Sequence, residues 1–530
     1  MSVTAINPIL SGFYPDPSIC AVGEDYYLVN SSFAYFPGLP IMHSKDLAHW
    51  ELIGNALDRN SQLPLNEEHT ISRGLFAPTI RYNNGTFYII CTNVSFGGNF
   101  VVTAKDPKGP WSEPIYMPWT DGIDPSLFFD EDGKCYFIGT HPNPDGCRYD
   151  GDWFIYIQEL NSETFEPVGE QKNVWNGAMR GVHWPEGPHL YKIGNYYYII
   201  HAEGGTGPEH AISVARSKDV FGPYENHFKN PIFTHRHLGV KYPIQYVGHG
   251  DLFQVANGEW YMVMLATRPI KGYTTMGRET FLARVIWENE WPVVNPGLGI
   301  MSAKLIVDLP EAVPDCDKRL TPAVDKHYNF TEMDKLDYNF LTLRNPLENL
   351  YKLSEEKGLE LLCRKGKYSF VAIRQDSHLF RATAELDTVG LYDGAKAGLM
   401  LFQNDDYNLR VEYAGCKATV ILKQGDEEQK IASSMVAADK VTLFMEVLGL
   451  QASVYVGEGA KLSPLVKGID IYALSTEVAG GFVGCTIGVY ASSNEELAED
   501  TYASFSSFSY APGKIVSKKK EEDFYDDEEE

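Results

Sequence analysis

The chain has 530 residues, more than one hydrophobic core usually organises, so two domains are expected. Its composition, 44% hydrophobic and 22% charged, is typical of a globular protein and excludes a largely unstructured one. The net charge of -26 repels phosphate backbones, and no stripe rich in Lys and Arg reverses it locally, which argues against a nucleic-acid partner. No run of about 18 apolar residues occurs, so no membrane partner is expected either.

The first residues, MSVTAINPIL, lack the basic and apolar segments of a secretory leader. As written, the chain is therefore expected in the cytoplasm, and it would be secreted only if a leader had been removed. The eight cysteines are scattered, with no C-x-x-C pair, which favours reduced core residues over a zinc site.

A weak internal repeat runs through the first three hundred residues. Each copy has a short polar step, often ending in proline, then a strand, a turn with Gly, Asn or Asp, and an aromatic strand. The copies begin at intervals of about 61, 47, 62 and 64 residues, which is typical of four-stranded blades. They lead with Asp16, Ala77, Asp124, Glu186 and Gly250.

Five such units predict a five-bladed β-propeller over 1–310, and a β-sandwich with chance similarity is the alternative. A proline-rich, charged linker is predicted at 311–326. Residues 327–513 alternate apolar and polar positions with no long helical pattern, which predicts a β-sandwich. The run KKKEEDFYDDEEE within 514–530 is interpreted as a disordered, solubilising tail.

The innermost strand of every blade begins at one mouth of a propeller, so leading residues of the repeat converge there. Asp16, Asp124 and Glu186 are therefore expected to meet. Inverting hydrolysis of a glycosidic bond needs one protonated and one ionised carboxyl group about 6.5 to 9.5 Å apart, and a neighbouring carboxylate keeps the acid protonated. The alternative is that each carboxylate only caps a turn, since Asp-Pro and Glu-Gly-Pro are common turn sequences.

Six ordered motifs carry a resemblance to a known family: NPILSGFYPDPS, SSFAYFPGLPIMHSKDLAHW, GIDPSLFF, EGPHLYK, YPIQYVGHGDL and GRETFL. From about Asn7 to Tyr510 the chain resembles glycoside hydrolase family 43, in particular its two-domain β-xylosidases and α-L-arabinofuranosidases. The resemblance implies an all-β fold, a five-bladed β-propeller followed by a concanavalin- or laminin-G-like β-sandwich. It also implies exo-acting, inverting release of terminal pentose units from oligosaccharides of hemicellulose, and homo-oligomers such as dimers or tetramers.

Residue by residue, the resemblance implies that Asp16 is the general base, Glu186 the general acid, and Asp124 the group that tunes the pKa of the acid and orients it. Arg278 would reach sugar hydroxyls in the first subsite, although an ion pair with Glu279 is the alternative. His249 would lie near the axis, where related proteins carry a calcium ion and its waters; a core histidine that donates to a backbone carbonyl is equally open. No cofactor is otherwise required.

Aromatic rings that could pack against a sugar flank these motifs. The resemblance implies that Phe33 and Phe76 line the pocket and that an aromatic residue of the sandwich closes it, with Phe505 or Phe508 as the candidate. Trp184 also flanks the motifs and is a candidate for sugar contact, with ordinary packing within a blade as the alternative. Phe76 stands where the xylosidase branch tends to have tryptophan, which favours arabinofuranosidase activity, alone or with xylosidase activity. An endo-acting arabinanase and a non-catalytic carbohydrate-binding propeller are the competing hypotheses.

Overall fold

A computed structural model describes residues 2–65, 68–309, 324–344, 346–391, 394–497 and 501–513. The chain forms two compact units. The propeller unit comprises Met1–Leu65, Arg73–Arg268 and Arg278–Pro322, and the sandwich unit comprises Asn66–Ser72, Pro269–Gly277 and Ala323–Glu530. The predicted linker, 311–326, lies largely outside the described residues, and the predicted tail, 514–530, lies wholly outside them. Within the described residues, no helix is both long enough and apolar enough to span a bilayer.

The propeller unit is a five-bladed β-propeller, as the repeat predicts. In each blade the strands lie in chain order, antiparallel, from the inner to the outer edge. Blade 1 is Ser18–Val22, Asp25–Val29, Gly38–Ser44 and Glu51–Leu57, and blade 2 is Leu75–Asn83, Thr86–Asn93, Gly98–Ala104 and Ile115–Tyr116. Blade 3 is Ile123–Phe129, Cys135–Pro142, Trp153–Leu160 and Lys172–Trp175. Blade 4 is Glu186–Ile193, Tyr196–Glu203, Ala211–Ser217 and Glu225–Asn226, with Phe233–Thr234 added to its third strand, and blade 5 is Gln245–Gln254, Trp260–Thr267, Glu279–Glu288 and Trp291–Val294.

The first two strands of every blade are the two strands that the sequence repeat contains, because the turn between them supplies the positive φ of a tight hairpin. Gly23, Gly85, Gly133, Gly194 and Gly258 take this conformation. Apolar side chains of neighbouring blades pack together, as in the cluster of Tyr198, Ile200, Met262 and Phe281 between blades 4 and 5. The ends of this unit meet in a separate ribbon, in which Ser2–Ile6 pairs with Lys304–Asp308.

The sandwich unit has two antiparallel sheets around one apolar core. The first sheet has the order Tyr351–Ser354, Gly358–Leu362, Tyr502–Pro512, Leu379–Asp387, Lys440–Leu448, Gln451–Glu458 and Lys461–Asp470, with Lys326–Asn329 also pairing Tyr502–Pro512. The second has the order Glu427–Met435, Lys417–Gln424, Tyr407–Ala414, Ala395–Asn404, Thr486–Ser493, Ser369–Arg374 and Leu341–Leu343. The described helices are short: Phe330–Glu332, Tyr472–Leu474 and Thr476–Ala479. The all-β prediction is confirmed.

Candidate active site

One residue at the start of each blade adopts a left-handed backbone conformation. These residues, with φ between 51° and 56° in four blades and 37° in blade 2, are Asp16, Ala77, Asp124, Gly187 and His249. In blades 2 to 5 the pairing of the first two strands shifts register here, a β-bulge that re-aims the chain at the mouth of the propeller. The sequence repeat placed Glu186 in line with Asp16 and Asp124. That alignment was wrong by one residue, because Gly187 holds the equivalent position and Glu186 precedes it.

Asp16 is buried and held by three groups. It accepts hydrogen bonds from Ser31 Oγ at 2.6 Å and from Arg278 Nη1 at 2.9 Å, and the Nδ1 atom of His249 lies 3.9 Å from its Oδ1. Burial by itself would raise the pKa of this carboxyl, but the charge of Arg278, the field of His249 and the Ser31 hydroxyl outweigh it and leave the pKa below its ordinary value. Asp16 is therefore a carboxylate at neutral pH.

Asp124 and Glu186 have the opposite behaviour. Burial, followed by the neighbouring carboxyls Asp124 and Asp16, raises the pKa of Glu186 well above its ordinary value. Burial and the charge of Asp16 also raise the pKa of Asp124 to about 6, against the lowering effects of His249 and of the hydrogen bond from Gly187 N to Asp124 Oδ2 at 3.0 Å. Three buried carboxyl groups that act on one another cannot all be ionised at neutral pH, because their negative charges repel. Glu186 therefore keeps its proton while Asp16 remains charged.

Gly187 explains how the acid is positioned. Its amide is bonded to Asp124, and a Cβ atom built on it would lie 2.8 Å from the His249 ring. A side chain at this position would therefore collide with His249 while the backbone holds a φ of 56° that favours glycine. The requirement for glycine fixes the peptide that follows Glu186 against both Asp124 and His249.

Arg278 lies against Asp16, and the alternative pairing with Glu279 is not formed. Its Nη1 atom donates to Asp16 and, at 3.2 Å, to Thr206 Oγ1, and its guanidinium lies 5.9 Å from the centre of the Phe33 ring. Glu279 is instead paired with Arg268, with 2.8 Å between Nε and Oε2. The guanidinium therefore lies between Asp16 and Thr206 and beside the Phe33 ring.

Three of the predicted aromatic residues, Phe33, Phe76 and Trp184, belong to the propeller unit. Phe33 and Phe76 make an edge-to-face pair with ring centres 5.6 Å apart, and Trp184 lies so close to two glycines, Gly151 and Gly205, that a Cβ on either would be within 3.0 Å of its indole ring. Gly205 precedes Thr206, so the indole lies beside the residue that Arg278 contacts.

The expectation for Phe505 and Phe508 was wrong. Both lie in the core of the sandwich unit, 0% and 1% exposed, because they face inward on the strand Tyr502–Pro512. Both rings are covered by the core of their own unit, so neither is available to close a pocket outside it.

Below the carboxyls, the residues two positions after the left-handed ones form a polar ring around the axis: Ser18, Thr79, Ser126, His189 and Asp251. Arg81 from blade 2 fills this ring. It donates from Nη1 to Asp251 Oδ2 at 2.9 Å and from Nη2 to Asp251 Oδ1 at 3.2 Å and to His189 Nδ1 at 3.0 Å. Burial acts to raise the pKa of Asp251, but the charge of Arg81 outweighs it and holds that pKa far below its ordinary value.

The residues at the axis do not fit a calcium ion held by the protein. Calcium takes about six to eight oxygen ligands, whereas no group of three or more Asp, Glu, His or Cys side chains within the described residues could hold a metal. Asp16, the carboxylate that His249 contacts, is already bound by Arg278 and Ser31. The fixed charge of Arg81 lies in the polar ring just below, where it disfavours a second cation.

Sequence reasoning missed Ser31, Thr206 and His210. Burial lowers the pKa of His210 to about 3, so its imidazole is neutral, and its Nδ1 is bonded to the carbonyl of Tyr246 at 2.8 Å. Here His210, and not His249, is the histidine bonded to a backbone carbonyl. These three residues stand outside the repeat's leading positions, so only tertiary contact could have found them.

A propeller whose mouth holds one ionised and one protonated carboxyl, an arginine and aromatic rings has the apparatus of a glycoside hydrolase. The comparisons agree. Residues 5–292 match the model of glycosyl hydrolases family 43, and residues 327–511 match that of the β-xylosidase C-terminal concanavalin A-like domain. The chain belongs to glycoside hydrolase family 43.

Similar proteins cover nearly the whole chain. A xylosidase/arabinosidase of Butyrivibrio fibrisolvens is 50% identical over 520 residues, 96% of this chain and 99% of that protein. A non-reducing end α-L-arabinofuranosidase of Bacteroides ovatus is 37% identical over 506 residues, 92% and 91% of the two chains. Among solved structures, a xylan β-1,4-xylosidase of Bacillus halodurans superposes with a TM-score of 0.86 at 32% identity, covering 96% of this chain and all of that one.

Proposed function

We propose that the chain is an exo-acting, inverting glycosidase that releases terminal α-L-arabinofuranosyl and β-D-xylosyl units from oligosaccharides of hemicellulose. The opposite protonation states of Asp16 and Glu186 carry this proposal. The names of the similar proteins, a xylosidase/arabinosidase, an arabinofuranosidase and a xylosidase, support pentosides as the substrate class.

In the proposed reaction, Asp16 takes a proton from a water molecule whose oxygen attacks the anomeric carbon. The bond from that carbon to the leaving oxygen breaks, and Glu186 gives its proton to this oxygen. Asp16 ends protonated and Glu186 ionised, and proton exchange with solvent restores both. Asp124 raises the pKa of the acid, and Arg278 holds Asp16 in its ionised form while it offers N–H groups to sugar hydroxyls.

The test compares Asp16→Asn and Glu186→Gln with the unaltered enzyme on 4-nitrophenyl pentosides and on xylobiose. Both variants should lose about 10²- to 10⁴-fold in kcat on xylobiose. Glu186→Gln should lose less on the nitrophenyl substrates, because nitrophenolate leaves readily without a proton. An equal loss on both substrates would contradict its role as the acid. Proton NMR of the first product should show inverted configuration at the anomeric carbon.

The same assays distinguish the competing functions. We expect the α-L-arabinofuranoside to be cleaved faster than the β-D-xyloside, since Phe76 replaces the tryptophan of the xylosidase branch. Oligosaccharides as first products from arabinan would instead indicate endo-action. Binding without any cleavage would indicate a non-catalytic propeller.

We further propose that catalysis needs no calcium, since Arg81 supplies the positive charge at the axis. Activity after dialysis against a chelator should remain within twofold of the starting value, and the melting temperature should not rise on addition of calcium. A calcium-dependent rise in either quantity would refute this proposal.

A further inference from the structure

The sandwich unit contains a polar cavity of about 600 Å³ that is separate from the carboxyls described above. All the residues that line it belong to this unit, including Thr70 from the segment Asn66–Ser72. Its volume lies in the range of small-ligand sites, about 300 to 1,000 Å³. The cavity therefore has the size of a binding site for two or three sugar rings.

The cavity lies on the face of the second sheet that points away from the apolar core. In the strand Tyr407–Ala414, Leu409 and Val411 join the core, so the alternating residues Arg410 and Glu412 face the cavity. Such an outward face of an antiparallel sheet is usually solvated, yet Arg410 is only 3% exposed. Burial of an arginine on this face is costly unless it is compensated by partners or by a ligand.

Six of the charged side chains around the cavity form three ion pairs. Arg410 Nη2 donates to Glu428 Oε1 at 2.7 Å, and Lys396 Nζ lies 3.2 Å from Glu412 Oε1. Lys423 Nζ donates to Asp406 Oδ1 at 3.1 Å. Each pair leaves N–H groups and carboxylate lone pairs available, so the wall offers donors and acceptors side by side with little net charge.

A further observation points to a ligand. Tyr368 also lines the cavity. Its ring is held edge-on against Tyr490, with centres 5.5 Å apart, and lies beneath the Arg410 guanidinium at 5.8 Å. A fixed aromatic ring beside hydrogen-bond donors suits a sugar, whose C–H face packs on the ring while its hydroxyls bind the donors.

We infer that this cavity is a second, non-catalytic binding site for a neutral oligosaccharide. A phosphate or a uronate would need uncompensated positive charge, whereas here carboxylates stand beside Lys396, Arg410 and Lys423. Neutral sugar hydroxyls both donate and accept, and so match a wall of paired charges. The choice of a pentose oligosaccharide rests on the proposed function; the existence of the site does not. Such a site would hold a polysaccharide chain close to the enzyme and raise the local substrate concentration.

The experiment titrates xylotetraose and, separately, linear arabinotetraose into the Glu186→Gln protein by calorimetry, so that no ligand is hydrolysed. Two molecules should bind per chain with one of these probes. Adding Tyr368→Ala should weaken the second site at least tenfold. The matched control is Tyr338→Ala, a tyrosine of the same unit that is 46% exposed and not among the residues lining the cavity, and it should leave both sites intact.

A second, less disruptive variant shows whether weaker binding is caused by loss of folding. Lys423→Met removes one partly exposed charge of the wall and should weaken the same site without lowering the melting temperature. In the active enzyme, Tyr368→Ala should leave kcat/KM for 4-nitrophenyl pentosides within twofold. One bound molecule per chain with both probes, or two in Tyr368→Ala, would overturn the inference. Binding of inorganic phosphate or glucuronate at this cavity in place of the tetraoses would also overturn it. Loss of cleavage with two sites retained would refute only the proposed function.

Discussion

Replacing Arg81 by methionine should destabilise the propeller unit by about 3–5 kcal/mol. The reason is Asp251, which is 0% exposed and would lose the guanidinium that donates to both of its oxygens and compensates its charge. An uncompensated buried charge costs about this much. For a unit of this size each kcal/mol corresponds to about 2–4 °C, so the melting temperature should fall on the order of 10 °C. The assay is scanning calorimetry at pH 7, with Arg59→Met as the control, because its pair with Glu113 is well exposed and should contribute less than about 1 kcal/mol.

The double variant Arg81→Met with Asp251→Asn removes the stranded charge and should recover part of the loss. The pH dependence follows from the same contact. With Arg81 present, the pKa of Asp251 is lowered, so its contribution to stability is complete at pH 5–8 and is lost only in strong acid. Without Arg81 the folded-state pKa rises, and the deficit should shrink as the pH falls. A deficit below about 1 kcal/mol, or simple additivity in the double variant, would refute the reasoning.

Three other outcomes are expected. Asp124→Asn keeps an acceptor for the Gly187 amide but removes a charge that raises the pKa of Glu186, so the high-pH limb of the kcat profile should move to lower pH. The control is Asp130→Asn, just beyond the far end of the same strand and about 20 Å away, and an unmoved limb in Asp124→Asn would contradict the assignment. Gly187→Ala should lower kcat more than tenfold through its collision with the His249 ring, while KM changes less. Phe508→Ala should cost about 3–5 kcal/mol in the sandwich core, and kcat/KM on nitrophenyl pentosides, measured well below melting, should be unchanged.

The propeller could be predicted from sequence because its information is local and repeated. A polar step, a strand, a glycine turn and an aromatic strand recur five times, and each copy folds into the first two strands of a blade. The outer strands carry no such signal. Short pairings such as Ile115–Tyr116 and Glu225–Asn226 are too brief for any periodicity to appear.

The repeat also brought Asp16, Asp124 and Glu186 to one mouth, but it misaligned Glu186. The backbone dihedrals show that Gly187 is the residue equivalent to Asp16, and the proline that follows each of these two residues is the sequence signal that could have shown it. Phe505 and Phe508 show a second limit of prediction from sequence. Alternation of residues on a strand shows that two faces exist, but it does not say which face becomes the core.

The sequence by itself determined the two folds and the carboxyl residues of the site, because hydrophobic alternation and turn chemistry act over a few residues. The tertiary structure decided the protonation states, since these depend on Arg278, Ser31 and Asp124, which come from distant parts of the chain. It also placed the guanidinium of Arg81 in the polar ring around the axis. Burial and charge at a site are sums over neighbours in space, and no local pattern of residues encodes those sums.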